Sequence, residues 1–210
     1  MATSFTTLRP LAEITTISQL YRSGQLKPAA LQDAPNASQQ LNDTICHVQH
    51  SIAALQVDAI VNAANESLLG GGGIDGAIHR AAGPGLLREC YTLNGCKTGS
   101  AKITGAHGLP CKKVIHAVGP IFHGFEESEP LLRSCYRTSL ELAVDNGCKS
   151  IALCGISTGI YGYPPMAAAE AALGEVRTFL TQTEKGKSLE KVIFCSYNAK
   201  DVASYIPNIP

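Results

Sequence analysis

Between Val57 and Gly83 the chain reads VDAIVNAANESLLGGGGIDGAIHRAAG, and no other stretch restricts the fold as much. Val57, Ala59, Ile60 and Val61 form an apolar run of strand length, suited to burial on both faces of a parallel or mixed sheet covered by helices. The strand is expected to end near Asn62. Gly70 to Gly73 then supply backbone that can take positive φ and carries no side chains, so several N–H groups can converge on anionic oxygens. Asp75 is placed to begin a helix through Ala77, Ile78, His79, Ala81 and Ala82, with Gly83 and Pro84 as stop signals. A helix N-terminus beside a glycine loop favours phosphate through its orphan amides and macrodipole. A phosphorylated ligand is therefore the expectation.

Asp75 complicates this picture, because a carboxylate repels an anion unless it has another task. It can accept a ribose hydroxyl, orient a water, or simply cap the helix. GxxxxGK[ST] does not occur, which argues against a P-loop.

Further strands are expected at Ile45–His50, Ala101–Thr104, Val114–Val118, Ser150–Cys154 and Lys191–Cys195, with helical patterns between them. In Pro165–Leu180 the residues Ala169, Ala172, Leu173, Val176, Phe179 and Leu180 share one helix face, and Leu132, Cys135, Tyr136, Leu140 and Ala143 define a second. This alternation predicts an α/β protein, a three-layer α/β/α sandwich with a mixed central sheet and ligand loops at the strand carboxyl ends. Residues 1–40 read as an N-terminal arm or partly ordered helical extension, with a short helix at Ile17–Arg22 and a surface stretch at Pro28–Ser38. Residues 41–210 form the main domain.

Composition narrows the function. Seventeen basic residues balance seventeen acidic ones, so a broad nucleic-acid footprint is not expected. Apolar runs are only strand-sized and the N-terminus carries no secretory apolar region, so no membrane role is expected. The eight cysteines lie singly without a CxxC pair; Cys135, Cys154 and Cys195 read as core thiols rather than metal ligands. That usage suits a reducing cytosol or nucleus and leaves the mitochondrion open. His116, between Ile115 and Ala117, reads as a satisfied core residue.

NAAN at Asn62–Asn65 followed by LLGGGGIDGAIHRAAG at Leu68–Gly83 resembles the signature of the macrodomain family, and of its MacroD-type branch in particular. GISTGIYGYP at Gly155–Pro164 resembles that family's other phosphate loop. KITGAHGLP, VIHAVGPIF, LLRSCYRTSLELAVDNG and VIFCSY have MacroD-like counterparts, so the likeness runs from about Leu41 to about Ile206. It implies the macrodomain fold, binding of ADP-ribose, and hydrolysis of ADP-ribose esters on Asp/Glu side chains and of O-acetyl-ADP-ribose. No cofactor and no metal are implied. The partners would be these ligands and mono-ADP-ribosylated proteins, with nucleic acid only as an ADP-ribosylated substrate, and the default state a monomer. A non-catalytic ADP-ribose reader and an ADP-ribose phosphate phosphatase are alternatives for the same pocket.

The resemblance also implies residue roles. Gly71, Gly72, Gly73 and Ile74 would lie along the ribose-phosphate side, while Ser157, Thr158, Gly159, Ile160, Tyr161 and Gly162 would close over the diphosphate. Asn65 would hold the distal ribose hydroxyls, with Asn62 assisting or tying down the strand end. Asp75 would orient or partly deprotonate a water beside the anomeric centre. His79, one helical turn on, would orient Asp75, contact the ribose, or make a structural hydrogen bond. Tyr161 would cover the distal ribose or pack on the helix after Pro164. One departure from the family pattern lies at His50–Ala53: the acid that accepts the adenine amino group is replaced by Ser51, next to Ile52. Tyr197 would stack on adenine or serve as a strand-end aromatic.

Overall fold

The apolar run after Val57 becomes an interior strand of a six-stranded sheet. The computed structural model describes residues 7–27 and 37–206. In chain order its elements are β1 (Arg9–Pro10), α1 (Ile17–Arg22), α2 (Gln39–Thr44), β2 (Ile45–Gln49), β3 (Leu55–Gln56), β4 (Ala59–Ala64), α3 (Gly73–Ala82), α4 (Pro84–Thr92), β5 (Ser100–Gly105), β6 (Lys113–Val118), α5 (Phe125–Asp145), β7 (Ser150–Leu153), α6 (Pro165–Gln182), β8 (Lys191–Ser196) and α7 (Ala199–Tyr205).

The main sheet has the order β2-β8-β7-β4-β6-β5. All neighbours are parallel except β5, which runs antiparallel to β6. Helices flank this mixed sheet in three layers, as expected: α3 and α4 cover the face from which Asn62 and His116 project, and α5 and α6 pack together in the other layer. The connection after β4 leads toward β6 and β5, whereas the connection after β7 leads to β8, so the direction of winding reverses between β4 and β7. Open sheets form a crevice at such a point, outside the strand carboxyl ends. Here β4 and β7 share only the register pairs Ala59↔Ile151 and Ile60↔Ala152. Beyond Ile60 the two strands part, and the crevice opens.

The opposite end of the sheet is tied by Asp58. Its carbonyl accepts from the amides of Lys112 and Lys113, and its Oδ2 accepts from the amides of Lys149 and Ser150 and from the Ser150 hydroxyl. These bonds anchor the starts of β4, β6 and β7 and place the first strand residue at Ala59, two positions later than the apolar run suggests. The expected faces of α5 and α6 are buried, except that Leu173 is only partly so. Glu175 is also buried on α6, where Arg137 Nε donates to it at 2.7 Å. Tyr136 projects from α5 to the other end of the sheet. Its hydroxyl donates to the Cys154 carbonyl at 3.0 Å and accepts from the Ile156 amide at 3.2 Å, which sets the start of the loop after β7.

All eight cysteines are buried and outside disulfides. Within the first forty residues, α1 has the expected bounds, capped reciprocally by Thr16 and Gln19. β1 pairs with β3, and Lys191 Nζ donates to the carbonyls of Leu11 and Ile14. Most of the Pro28–Ser38 stretch lies outside the described residues. Three helices, α2, α4 and α7, have no counterpart in the sequence reading. α4 was hidden by Gly83–Pro84: these do end α3, but Pro84 occupies the first turn of the next helix, where a missing N–H costs nothing. Among the described residues, no helix is long and apolar enough to cross a membrane.

Candidate functional site

Two adjoining hollows occupy the crevice at the strand carboxyl ends. One, of about 360 Å³, is walled by Ala63 to Asn65, Gly71 to Asp75, Gly119, Gly155 to Ser157 and Gly159 to Tyr161. The other, of about 580 Å³, is walled by His50 to Ala53, Ala77, Ile78, Arg80, Thr158, Tyr197, Asn198 and Asp201 among others. Gly73, Ile74, Gly155 and Gly159 line both, so together they make one elongated cleft. Its size suits a dinucleotide-like ligand lying lengthwise.

The first wall is the loop from β4 into α3. α3 begins at Gly73, two residues before Asp75, and its N-cap is Gly72 without a side-chain cap bond. This corrects the capping alternative for Asp75: the residue sits in the first turn and its carboxylate serves no backbone amide there. The uncapped amides of that turn border the cleft, as an anion site requires. Gly73 has φ +57, a value that disfavours a side chain. Gly76 packs so closely that an added Cβ would collide with the Gly71 carbonyl, so the helix and the loop are locked together.

Asn65 holds the loop in shape. Its Nδ2 donates to the Gly70 carbonyl at 2.9 Å, and its Oδ1 accepts from the Ser67 amide at 3.0 Å and the Ser67 hydroxyl at 2.6 Å.

The second wall is the loop from β7 into α6. The Gly162 amide donates to the Gly159 carbonyl and the Tyr163 amide to the Ser157 carbonyl, both at 3.0 Å. The Phe122 amide donates to the Tyr161 carbonyl at 2.8 Å, joining this loop to the segment after β6. Ser157 is a non-glycine residue at φ +64, and its Oγ is buried without a hydrogen-bond partner. A hydroxyl in a left-handed residue of a cleft wall can donate to a polar ligand lying along that wall. Gly119 is required beside it, because a Cβ there would collide with Ser157 Oγ and Ile156 Cγ2.

Among the described residues, Asp75 is the one acid that lines the smaller hollow, and it is 3 % exposed. Its Oδ1 accepts from Asn62 Nδ2 at 2.7 Å, while Oδ2 is buried without a partner. A Cβ placed on Gly71 would lie 3.1 Å from that Oδ2 and 3.3 Å from Asn65 Nδ2, so the bare side of Gly71 packs closely against both groups. Burial pushes the Asp75 carboxyl above the usual carboxylate range, against the lowering effects of the Asn62 hydrogen bond and of His79. Such a carboxylate has one oxygen anchored and the other, beside Gly71, unpaired.

Of the sequence-predicted site residues, Asn65, Gly71, Gly72, Gly73, Ile74, Asp75, Ser157, Gly159, Ile160 and Tyr161 meet around the smaller hollow. Ser51, Ile52, Thr158 and Tyr197 meet around the larger one. Three residues do not line the cleft. Asn62 is fully buried behind Asp75 rather than facing a ligand. His79 packs its ring beside Gly70, with Nε2 buried 3.5 Å from Asp75 Oδ1 and without a hydrogen-bond partner. Gly162, at φ +71, shapes the turn from outside. Tyr161 lines the cleft, and the aromatic packed in the interior is instead Tyr163, edge-on to Phe122. Sequence reasoning missed Gly119, Arg80 and Asp201. The glycine in VIHAVGPIF was the available sign of the first.

His79, Cys90 and His116 also place three ligand-type atoms within 4.8 Å of one another behind this wall. Asn62 Nδ2 lies 3.2 Å from His116 Nδ1 and His116 Nε2 lies 3.0 Å from Thr104 Oγ1, an arrangement of hydrogen bonds rather than of free donor pairs.

The family model described as Macro domain matches residues 61–172. A macro domain-containing protein of Chlorobaculum tepidum is 55% identical over 165 residues, covering 78% of this chain and 94% of that protein. The protein named ADP-ribose glycohydrolase MACROD2 of Mus musculus is 46% identical over 189 residues, covering 89% of this chain but 39% of its own length. Among solved structures, a Trypanosoma brucei macrodomain in complex with ADP-ribose superposes with a TM-score of 0.80 at 38% identity, over 97% of this chain and 77% of that one.

Proposed function

Because the chain belongs to the macrodomain family, with MacroD-type relatives, we propose that its cleft binds ADP-ribose and hydrolyses the esters by which ADP-ribose is attached to Asp and Glu side chains, as well as O-acetyl-ADP-ribose. The observation that carries this reading is the half-anchored, buried Asp75 carboxylate at the meeting point of the two glycine loops. A reader needs the loops alone. It has no use for an acid whose burial costs stability beside an anion site.

In this proposal the pyrophosphate lies between the first turn of α3 and the Ser157–Tyr161 loop, held by backbone amides and the Ser157 hydroxyl. Asn65, whose amide has a second proton to give, holds the distal ribose over Gly71. A water bound between Asp75 Oδ2 and a ligand phosphate oxygen attacks the anomeric carbon. The new bond is from water oxygen to carbon, the bond broken is from that carbon to the ester oxygen, and the leaving group departs as a carboxylate. The water proton passes to Asp75 and then to solvent. An ester with so good a leaving group needs a placed water more than a covalent nucleophile or a metal. For O-acetyl-ADP-ribose the same water would attack the acetyl carbonyl; the bond from that carbon to the ribose oxygen breaks, the ribose oxygen takes up a proton to become a hydroxyl, and acetate is released.

Adenine would occupy the larger hollow, between Ile52 and Tyr197. There Ser51 can accept the amino proton only as a neutral hydroxyl, which should weaken the contact by about 1 kcal/mol relative to a carboxylate. Ser51→Asp is therefore expected to tighten ADP-ribose binding by about fivefold in calorimetry. An unchanged affinity would place adenine elsewhere. We read residues 41–210 as the domain that carries the site, residues 1–40 as an extension upon it, a monomer as the working state, and a reducing compartment as its setting.

The test of function is a release assay on proteins bearing carboxylate-linked or serine-linked ADP-ribose, run beside O-acetyl-ADP-ribose. Release from the carboxylate-linked substrate and deacetylation of the small molecule are expected. Tight ADP-ribose binding with no release from any of them would leave a reader in place of the hydrolase.

A further inference from the structure

Behind Asp75 lies a group that the proposed reaction does not touch. His116 is fully buried on β6, in register with Asn62 on β4. Asn62 Nδ2 is 2.7 Å from Asp75 Oδ1 and 3.2 Å from His116 Nδ1. A primary amide has two diverging protons, and here each has an acceptor, provided that His116 Nδ1 carries a lone pair. The proton of the ring is then on Nε2, where it faces Thr104 Oγ1 at 3.0 Å and Cys90 Sγ at 3.7 Å. The Thr104 hydroxyl in turn donates toward the Val114 carbonyl at 3.5 Å. Every donor in this chain finds an acceptor in only one direction of running.

We propose that His116 is a positioning residue: its Nδ1 lone pair fixes the rotation of the Asn62 amide, which clamps Asp75 Oδ1 and leaves Oδ2 directed at the cleft. Were the amide turned over, Asn62 Oδ1 would face both the carboxylate and the ring nitrogen, three acceptors without a proton among them. That arrangement is costly in a buried site and would release Asp75 from its place.

The surroundings keep the ring in the required form. The titratable groups that face Asp75 and His116 are His79 on α3, Glu89 and Cys90 on α4, and each other. Burial first, and then His79, push the His116 imidazole down to about 4 against the raising effect of Glu89, so it stays neutral across the working pH range. This inference rests on the hydrolase reading only for its consequence. The hydrogen-bond chain is a statement about the resting protein.

The experiment pairs two substitutions. Asn can place an amide oxygen near the position of His Nδ1, whereas Gln extends its amide toward the position of Nε2. His116→Asn is expected to keep kcat within about threefold, while His116→Gln lowers kcat about tenfold or more with ADP-ribose affinity unchanged. In His116→Gln the acid limb of the kcat–pH profile should also move to higher pH, because the Asn62 hydrogen bond that lowers the Asp75 carboxyl is loosened. Equal impairment of both variants, or an unmoved acid limb in His116→Gln, would overturn the role and leave only packing. Independently of any substitution, long-range proton–nitrogen spectra of the whole protein should show the His116 proton on Nε2 from about pH 5 to 8; a proton on Nδ1 overturns the chain itself. Asp75→Ala is assayed in parallel. No turnover by the unchanged protein removes the hydrolase reading, and turnover that survives in Asp75→Ala removes the catalytic role of Asp75, whereas turnover lost there but normal in His116→Gln overturns the His116 inference alone.

Discussion

Asp75→Ala is expected to lower hydrolysis of a carboxylate-linked ADP-ribose by about a hundredfold or more, while ADP-ribose affinity changes by less than about tenfold. The asymmetry follows from geometry. The carboxylate lies under the cleft with Oδ1 held by Asn62 and Oδ2 facing Gly71 and Asn65, so it acts on a water rather than on the bulk of the ligand. Its loss removes an interaction that strengthens as the water proton is drawn off, and it also removes a negative charge close to the diphosphate. Binding in the variant is therefore no weaker than modestly altered, and a tighter complex is within the expectation. Calorimetry and single-turnover release on the same preparation check both halves, with thermal unfolding as the control for the fold. Turnover at the normal rate would refute the catalytic role of Asp75.

The same carboxyl sets a pH dependence. Burial raises it above the usual carboxylate range, so the protonated form persists to higher pH than for an exposed aspartate. The ionised form is the one that takes a proton from water. Activity should therefore fall on the acid side, and the fall should begin at higher pH than an ordinary aspartate would give. The sign for stability follows: with the folded carboxyl raised above its unfolded value, ionisation penalises the folded state, and the penalty disappears as pH drops through the folded value.

Gly159→Glu is expected to abolish measurable ADP-ribose binding, a loss of at least about a hundredfold. Gly159 lines both hollows at their junction, and a Cβ there would meet nothing within 4 Å. The substitution is thus compatible with the fold, and its carboxylate enters the space assigned to the diphosphate. Like charges about 4 Å apart at a partly screened site repel by about 4 kcal/mol, enough to dominate every hydrogen bond the loops offer. Gly159→Ala, which adds volume without charge, should bind within a few fold of the unchanged protein. Normal affinity of the Glu variant would count against the two-loop grip.

Much of this architecture is encoded in short segments. The Val57–Gly83 stretch and Gly155–Pro164 carry their loops as local patterns, an apolar strand followed by glycines and a helix, and each forms in that order, although the first strand runs Ala59–Ala64 rather than ending near Asn62 and its helix begins at Gly73 rather than Asp75. The faces of α5 and α6 are equally local, because one helical period decides which residues point inward. Boundaries were less legible. Aspartate is a good cap, which points to a helix start at Asp75, yet its carboxylate is drawn thirteen residues back to Asn62. α4 escaped notice because a proline that ends one helix can open the next.

Local order therefore followed from residues close together in the chain: the strand, the two glycine turns, and the acid between them. Which groups stand behind that acid followed from sheet register instead. Asn62 and His116 are fifty-four residues apart and meet because β4 and β6 pair in parallel at those two positions. Gly119 and Phe122 reach the second turn for the same reason, at the carboxyl end of β6. Backbone propensities act over a few residues, whereas a buried amide chooses its partners from whatever the folded sheet brings within hydrogen-bond reach.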